Sequence, residues 1–150
     1  MTLLLSTLST PIGNLNLIAD EHVLLAANLS NLKALKESLS QEDSERDVKN
    51  VSRIPIITDL ISDYFDGDIA ALNAISVRQP GAHFSQEAWK AMKKVKAGKV
   101  ISYGELAERA GSPAAVRAAG SACAKNAIVL IVPCHRIVKT GGALGNYAYG

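Results

Sequence analysis

The sequence has only two cysteines, Cys123 and Cys134, too few for a disulfide scaffold or a cysteine-based zinc site. Its three histidines, His22, His83 and His135, share no paired spacing with them, so no metal is expected. No apolar run approaches the ~20 residues that cross a bilayer, and no membrane partner is expected. The opening MTLLLSTLST lacks the basic start of a signal peptide and reads as a strand. Phosphate-loop and dinucleotide-binding glycine patterns are missing, as are internal repeats and low-complexity segments. With no export signal, free thiols in a reducing cytoplasm are expected.

What is present is a chain rich enough in apolar residues (48%) to bury a core, and a split in charge. Residues 1–77 carry 5 Lys/Arg against 11 Asp/Glu, whereas residues 78–150 carry 11 against 3. An acidic first half followed by a basic second half fits a protein that meets a polyanion with its second half.

Residues 2–29 contain three short apolar runs broken by TPIGN and Asp20-Glu21, the pattern of strands joined by tight turns. Leu32, Leu35 and Leu39 have helical spacing, and residues 41–53 read as a charged loop. Ile57, Leu60, Ile61, Tyr64 and Phe65 share a face of a second helix that stops at Gly67, and IAALNAISV reads as extended. A break at RQPGAH, residues 78–83, divides the chain into units 1–78 and 79–150. Beyond it, Phe84, Ala88, Met92 and Val95 form a helical stripe that Gly98 ends. Ser102 and Glu105 fit a capping box. Ser112-Pro113 then fits the start of a second helix, AAVRAAGSACAKN, so that the pair reads as a helix-turn-helix. The fold class expected is α+β.

Two features carry chemistry. The helix AAVRAAGSACA is almost all small residues with one arginine, Arg117. It suits either tight helix packing or close approach to DNA. The run AIVLIV, read as a strand, ends in Pro133, Cys134, His135 and Arg136. A cysteine nucleophile needs a base or positive charge beside it. Adjacent side chains on a strand point apart, so the pair acts together only if Pro133 breaks the strand into a turn. From the residues alone, core packing and nucleophilic chemistry both remain open.

PCHRIV behind an apolar run, ISYGELAERAG upstream, GGALGNY downstream, STPIGNLNLIAD near the start and DYFDGD in the middle resemble the O6-alkylguanine-DNA alkyltransferases. The resemblance covers nearly the whole chain. It implies a small ribonuclease H-like N-terminal α/β domain and a helical domain carrying a winged-helix-like helix-turn-helix and the Pro-Cys-His-Arg turn. It also implies a monomer that repairs double-stranded DNA from the minor groove without a cofactor, nucleoid-associated in a bacterium or nuclear in a eukaryote. The protein flips an O6-alkylguanine, or an O4-alkylthymine, out of the stack and moves the alkyl group once to its own cysteine.

Residue by residue, the resemblance makes Cys134 the acceptor and His135 its base through a water. Asn126 bridges the recognition helix and the active-site turn. Tyr103 presses on the rotating phosphate and donates towards the guanine, while Tyr147, Ile137 and Ala148 border the base. Arg117 replaces the flipped base, and Ala118, Ala119, Gly120 and Ser121 line the minor groove. Arg136 reads as a structural ion-pair partner. Departures are Cys123, Ala127 and Tyr149, which stand where the family has a larger or amide residue, a proline and a small residue. The family also has a glutamate, on a further basic helix, that orients the histidine, and no residue of 1–150 matches that motif. The alternatives are a non-repairing lesion-binding protein, an inactive truncated form, and a thiol hydrolase unrelated to DNA.

Overall fold

The computed structural model describes residues 2–138. Contacts divide the chain into two compact units. One holds the chain up to Pro80 together with Ala127–Ile131, and the other holds Gly81–Asn126 and the chain from Val132 onward. A single cut near residues 78–83 leaves out this return of 127–131 to the first unit.

In the first unit, β1 (Leu3–Thr10), β2 (Gly13–Asp20) and β3 (Val23–Asn28) form an antiparallel meander. Gly13, at φ 120°, adopts a conformation open only to glycine in the first turn. Two short strands complete the sheet, β4 (Val48–Asn50) parallel to β1 and β5 (Ser76–Val77) parallel to β3, in the order β4-β1-β2-β3-β5. The central strand β2 buries five successive residues, Leu15–Ala19, so both its faces are covered. Leu3, Leu5, Ile18, Leu25, Ala26 and Leu35 form one core cluster of the unit. Burying a side chain such as Ile18, which has no exposed surface, contributes about 1.5–3 kcal/mol.

Three helices flank this sheet in sequence. α1 (Leu32–Glu37) is capped by Asn31, whose side chain accepts the Ala34 N–H at 2.8 Å. α2 (Gln41–Ser44) and β4 occupy the stretch expected to be a charged loop. The charges there are paired rather than merely solvated. Arg46 reaches Asp20 at 2.9 Å and Asp43 at 3.1 Å, and Arg78 reaches Asp43 at 2.8 Å. The Arg46 hydrogen bond holds the Asp20 carboxyl below its usual range. Burial works against Asp43, but hydrogen bonds from Arg78, Arg46 and Ser40 outweigh it and lower its pKa as well. α3 (Ile57–Phe65) follows, and the segment expected to be extended is instead a 3₁₀ turn (Ala71–Ala74) leading into β5.

The second unit packs α4 (His83–Lys93), α5 (Tyr103–Arg109) and α6 (Val116–Lys125) against one another. A two-residue parallel pair, β6 (Ile101–Ser102) and β7 (Ile137–Val138), adjoins α5. Ala88, Met92 and Val95 are buried as the stripe requires, and so is Trp89 beside them. α4 ends at Lys93, five residues before Gly98, because the chain tightens into a Val95 N–H to Met92 carbonyl turn. The Trp89 indole donates to the Ala122 carbonyl at 2.9 Å, filling one of the acceptors that a helix C-terminus leaves open. Gly81 lies so close that a Cβ there would stand 2.6 Å from the Trp89 ring.

Ser102 caps α5 by accepting the Glu105 N–H at 3.0 Å, while the Glu105 carboxylate pairs forward with Arg109 at 2.6 Å. α6 starts at Val116 rather than at Ser112. Residues 112–115 form a separate turn closed by the Ala115 N–H and the Ser112 carbonyl, 2.9 Å apart, and Ala115 lies outside helical geometry at φ −89° and ψ 45°.

Candidate active site

The apolar run before the cysteine is not a strand. Its pairing is one bridge, Ala27 with Ile128. The Ala27 N–H donates to Ala127, and the Val129 N–H donates back to Ala27. The chain then folds over Leu130, at φ 71°, in a turn that leaves Ile131 hydrogen-bonded to Val129 at 2.8 Å. β-branched apolar residues suit a strand, but a single left-handed residue ends any extended register here.

Pro133 opens a 3₁₀ turn, Cys134–Arg136. The turn is closed by the Arg136 N–H and the Pro133 carbonyl at 3.0 Å, and the Cys134 N–H meets the Val132 carbonyl at 2.9 Å. Successive side chains of such a turn diverge by about 120° rather than the roughly 180° of a strand, so Cys134 and His135 do not point to opposite faces. Cys134 is 2% exposed and His135 is half-buried. Arg136 donates to the Val95 carbonyl at 2.6 Å, anchoring the turn to the end of α4. Its expected ion pair is thus replaced, among the described residues, by a backbone contact.

Asn126 ends α6 and is 1% exposed. Its Nδ2 donates to the Val132 carbonyl at 2.8 Å, and its side chain also hydrogen-bonds the Cys134 thiol. Burial pushes the Cys134 thiol up, an effect that this bond and the backbone amides of Cys134 and His135 only partly offset. Burial, and then the charge of Arg136, lower the pKa of His135. The resting pair is therefore a neutral thiol beside a neutral imidazole. Among the described residues no carboxylate pairs with His135. Cys123 is a buried neighbour of this site, its thiol pushed up to about 12 by burial and by Cys134. Among the described residues no three His, Cys, Asp or Glu side chains come together in a way that could hold a metal ion.

Tyr103, the first residue of α5, is 7% exposed, and Ile137 on β7 is buried. On α6 the helical period sorts the expected contacts. Arg117, Ala118 and Ser121 lie on the outward face with Ala124 and Lys125. Ala119 and Gly120 are buried on the inward face. Tyr147 and Ala148 lie outside the described residues. Two residues that sequence reasoning passed over also bear on this region. Trp89 holds the end of α6, and Gln79 accepts the Ala127 N–H at 2.8 Å. The single tryptophan beside the α4 stripe was a signal for the first, and nothing in RQPGAH marked the second.

The family model for the DNA-binding domain of 6-O-methylguanine DNA methyltransferase matches residues 83–150. The methylated-DNA–protein-cysteine methyltransferase of Salmonella typhimurium is 33% identical over all of this chain and 90% of its own length. The bifunctional transcriptional activator and DNA repair enzyme Ada of Escherichia coli is 44% identical over 47% of this chain and 20% of its own. The Mycobacterium tuberculosis OGT solved in complex with DNA superposes with a TM-score of 0.75 at 30% identity, covering 96% of this chain and 83% of that one. The chain is thus an alkyl-transfer enzyme of DNA repair and belongs to the methylated-DNA–protein-cysteine methyltransferase family.

Proposed function

We propose that the protein repairs O6-alkylguanine, mainly O6-methylguanine, and O4-alkylthymine in double-stranded DNA by a single transfer of the alkyl group to Cys134. The observation that carries this reading is the neutral Cys134 thiol on the same 3₁₀ turn as the neutral His135 imidazole, hydrogen-bonded to Asn126. A buried thiol is a poor nucleophile until its proton leaves, and a neutral imidazole is the group to take it.

In the step proposed, His135 draws the thiol proton through a water as Cys134 Sγ attacks the alkyl carbon. The S–C bond forms, the C–O6 bond breaks, and the electron pair of that bond goes to the guanine. The guanine takes up one proton, so the products are S-alkylcysteine and unmodified guanine. The thioether has no route back to a thiol, and each molecule reacts once. Asn126 holds the thiol and the loop before it.

The base reaches the thiol only outside the stack. The exposed face of α6, formed of small residues around Arg117, suits the narrow minor groove, and Arg117 fills the space left by the flipped base. Tyr103 presses on the rotated phosphate and donates towards the base, and Ile137, Tyr147 and Ala148 border it. The protein acts as a monomer in the cytoplasm, on the nucleoid in a bacterium or in the nucleus in a eukaryote, with an N-terminal unit of ribonuclease H-like kind and a C-terminal unit that binds DNA.

Duplex DNA carrying a radiolabelled O6-methyl group tests the reading. The label is expected on protein with a plateau of one methyl per molecule, and Cys134→Ser is expected to retain DNA binding with no transfer. Tight lesion binding by the unaltered protein without transfer identifies a lesion-binding protein instead.

A further inference from the structure

The chain between the end of α6 and Cys134 contains no helix and no strand, yet it must present a thiol to a reacting carbon. Its position depends on a few hydrogen bonds. At its far end Asn126 Nδ2 holds the Val132 carbonyl. At its near end both polar groups of Ala127 are occupied, the carbonyl by the Ala27 N–H at 2.9 Å and the N–H by Gln79 Oε1 at 2.8 Å. We infer that Gln79 is a positioning residue for alkyl transfer, fixing through the Ala127 N–H the peptide plane from which Asn126 aims its amide. This rests on the alkyl-transfer reading above.

One rotation links the two residues. Turning ψ of Asn126 is the same motion as turning the Asn126–Ala127 peptide plane, and the Ala127 N–H lies in that plane. Asn126 sits at ψ 119°, outside helical values, although it directly follows α6. Its own N–H still reaches the Cys123 carbonyl at 3.3 Å, but that bond does not set ψ. An acceptor at 2.8 Å from the next N–H does. With Asn126 so fixed, its Nδ2 meets Val132 and its side chain meets the Cys134 thiol. If the plane is free, both contacts loosen together.

Gln79 is itself rigidly placed. It is 6% exposed. Its neighbour Arg78 is pinned through its backbone N–H to the Leu24 carbonyl at 3.0 Å and through its guanidinium to Asp43 at 2.8 Å. The acceptor therefore comes from the sheet and the paired charges around it. The loop it restrains also carries Leu130 at φ 71°, a conformation unfavourable for an L-residue that needs restraint on either side.

A merely structural glutamine would affect stability and leave the chemistry of the folded protein unchanged. The test compares Gln79→Met, which fills the space without accepting, with Gln79→Glu, which keeps the acceptor. The single-turnover rate is measured with the free base O6-benzylguanine and with O6-methylguanine duplex, well below the unfolding temperature of each variant. Gln79→Met is expected to slow transfer to both substrates by about tenfold, the scale of a misplaced reactive group, with unaltered affinity for DNA. Gln79→Glu is expected to recover most of the rate. Wild-type rates in Gln79→Met, or equal losses in both variants, overturn the inference.

Iodoacetamide labelling of Cys134 provides an independent readout. With the Asn126 bond to the thiol weakened, the folded Gln79→Met protein is expected to show a changed rate and pH dependence of labelling, and an unchanged profile overturns the inference. If the wild-type protein transfers nothing to either substrate, the alkyl-transfer reading itself fails, and labelling still decides whether Gln79 positions the thiol. Should Gln79→Met not fold, Gln79→Asn, too short to reach Ala127, is measured in the same way.

Discussion

The side-chain amide of Asn126 donates to the carbonyl oxygen of Val132 at 2.8 Å, so the residue that ends α6 also fixes the loop that delivers Cys134. Replacing it tests how much depends on that bond. Asn126→Ala removes one of two donors to the buried Val132 carbonyl, which keeps the Cys134 N–H, and losing such a hydrogen bond costs about 0.5–1.5 kcal/mol. It also removes the hydrogen bond that lowers the Cys134 thiol pKa, so the thiol is expected to titrate higher. Urea unfolding checks the first effect, and thiol titration by ultraviolet absorbance checks the second.

Trp89 tests the other support of α6. Trp89→Phe keeps most of the ring volume and loses the donor to the Ala122 carbonyl. A loss of about 1–3 kcal/mol is expected, read by calorimetry. A variant as stable as wild type would mean that the Ala122 carbonyl finds another donor.

The pH dependence of transfer separates two ways of activating the thiol. Burial and Arg136 lower His135 below its ordinary 6.5, and burial raises Cys134 above its ordinary 9.0. The base is then neutral, and the thiol protonated, across the neutral range. The single-turnover rate is expected to be flat from pH 6.5 to 8.5 and to fall below pH 6.5 as the imidazole gains a proton. A rate that climbs through neutral pH towards 9 would instead indicate a thiolate formed without His135. The same shifts act on stability. His135, lowered, contributes stability that is present above pH 6.5 and lost as pH falls through its folded pKa. Cys123, raised to about 12 from 9.0, contributes stability that is present below pH 9.0 and lost as pH rises towards 12.

Arg117 lies on the exposed face of α6, and a role in base flipping makes its effect substrate-dependent. Arg117→Ala is expected to slow transfer from O6-methylguanine in duplex DNA by at least about tenfold, equivalent to roughly 1.4 kcal/mol, and to leave reaction with free O6-benzylguanine nearly unchanged. Rates measured side by side on the two substrates decide this, and equal losses contradict a role in flipping.

How much of this was legible in the sequence depends on how local each signal is. The β1–β2–β3 meander, the buried face of α4 and the Ser102 cap follow from patterns within a few residues, and the structure has them. α2 and β4 did not, because the charges of Arg46 and Asp43 looked solvated, and their partners Asp20 and Arg78 are 26 and 35 residues away. Residues 127–132 had the composition of a strand, and only the left-handed Leu130 and the single bridge to Ala27 make them a loop. The Cys134–His135 pair was visible as residues, and Pro133 signalled the turn that carries them. Gln79 could not be found at all, since the backbone N–H that it accepts belongs to a residue 48 positions away.

The central claim is that the Cys134 sulfur takes the alkyl group and keeps it. Mass spectrometry of the Cys134 peptide after incubation with excess O6-methylguanine duplex measures this directly. The expected result is a peptide heavier by one CH₂, complete in every active molecule, with unmodified guanine left in the DNA. An unaltered Cys134 peptide beside repaired DNA, or beside DNA bound and still methylated, would contradict it.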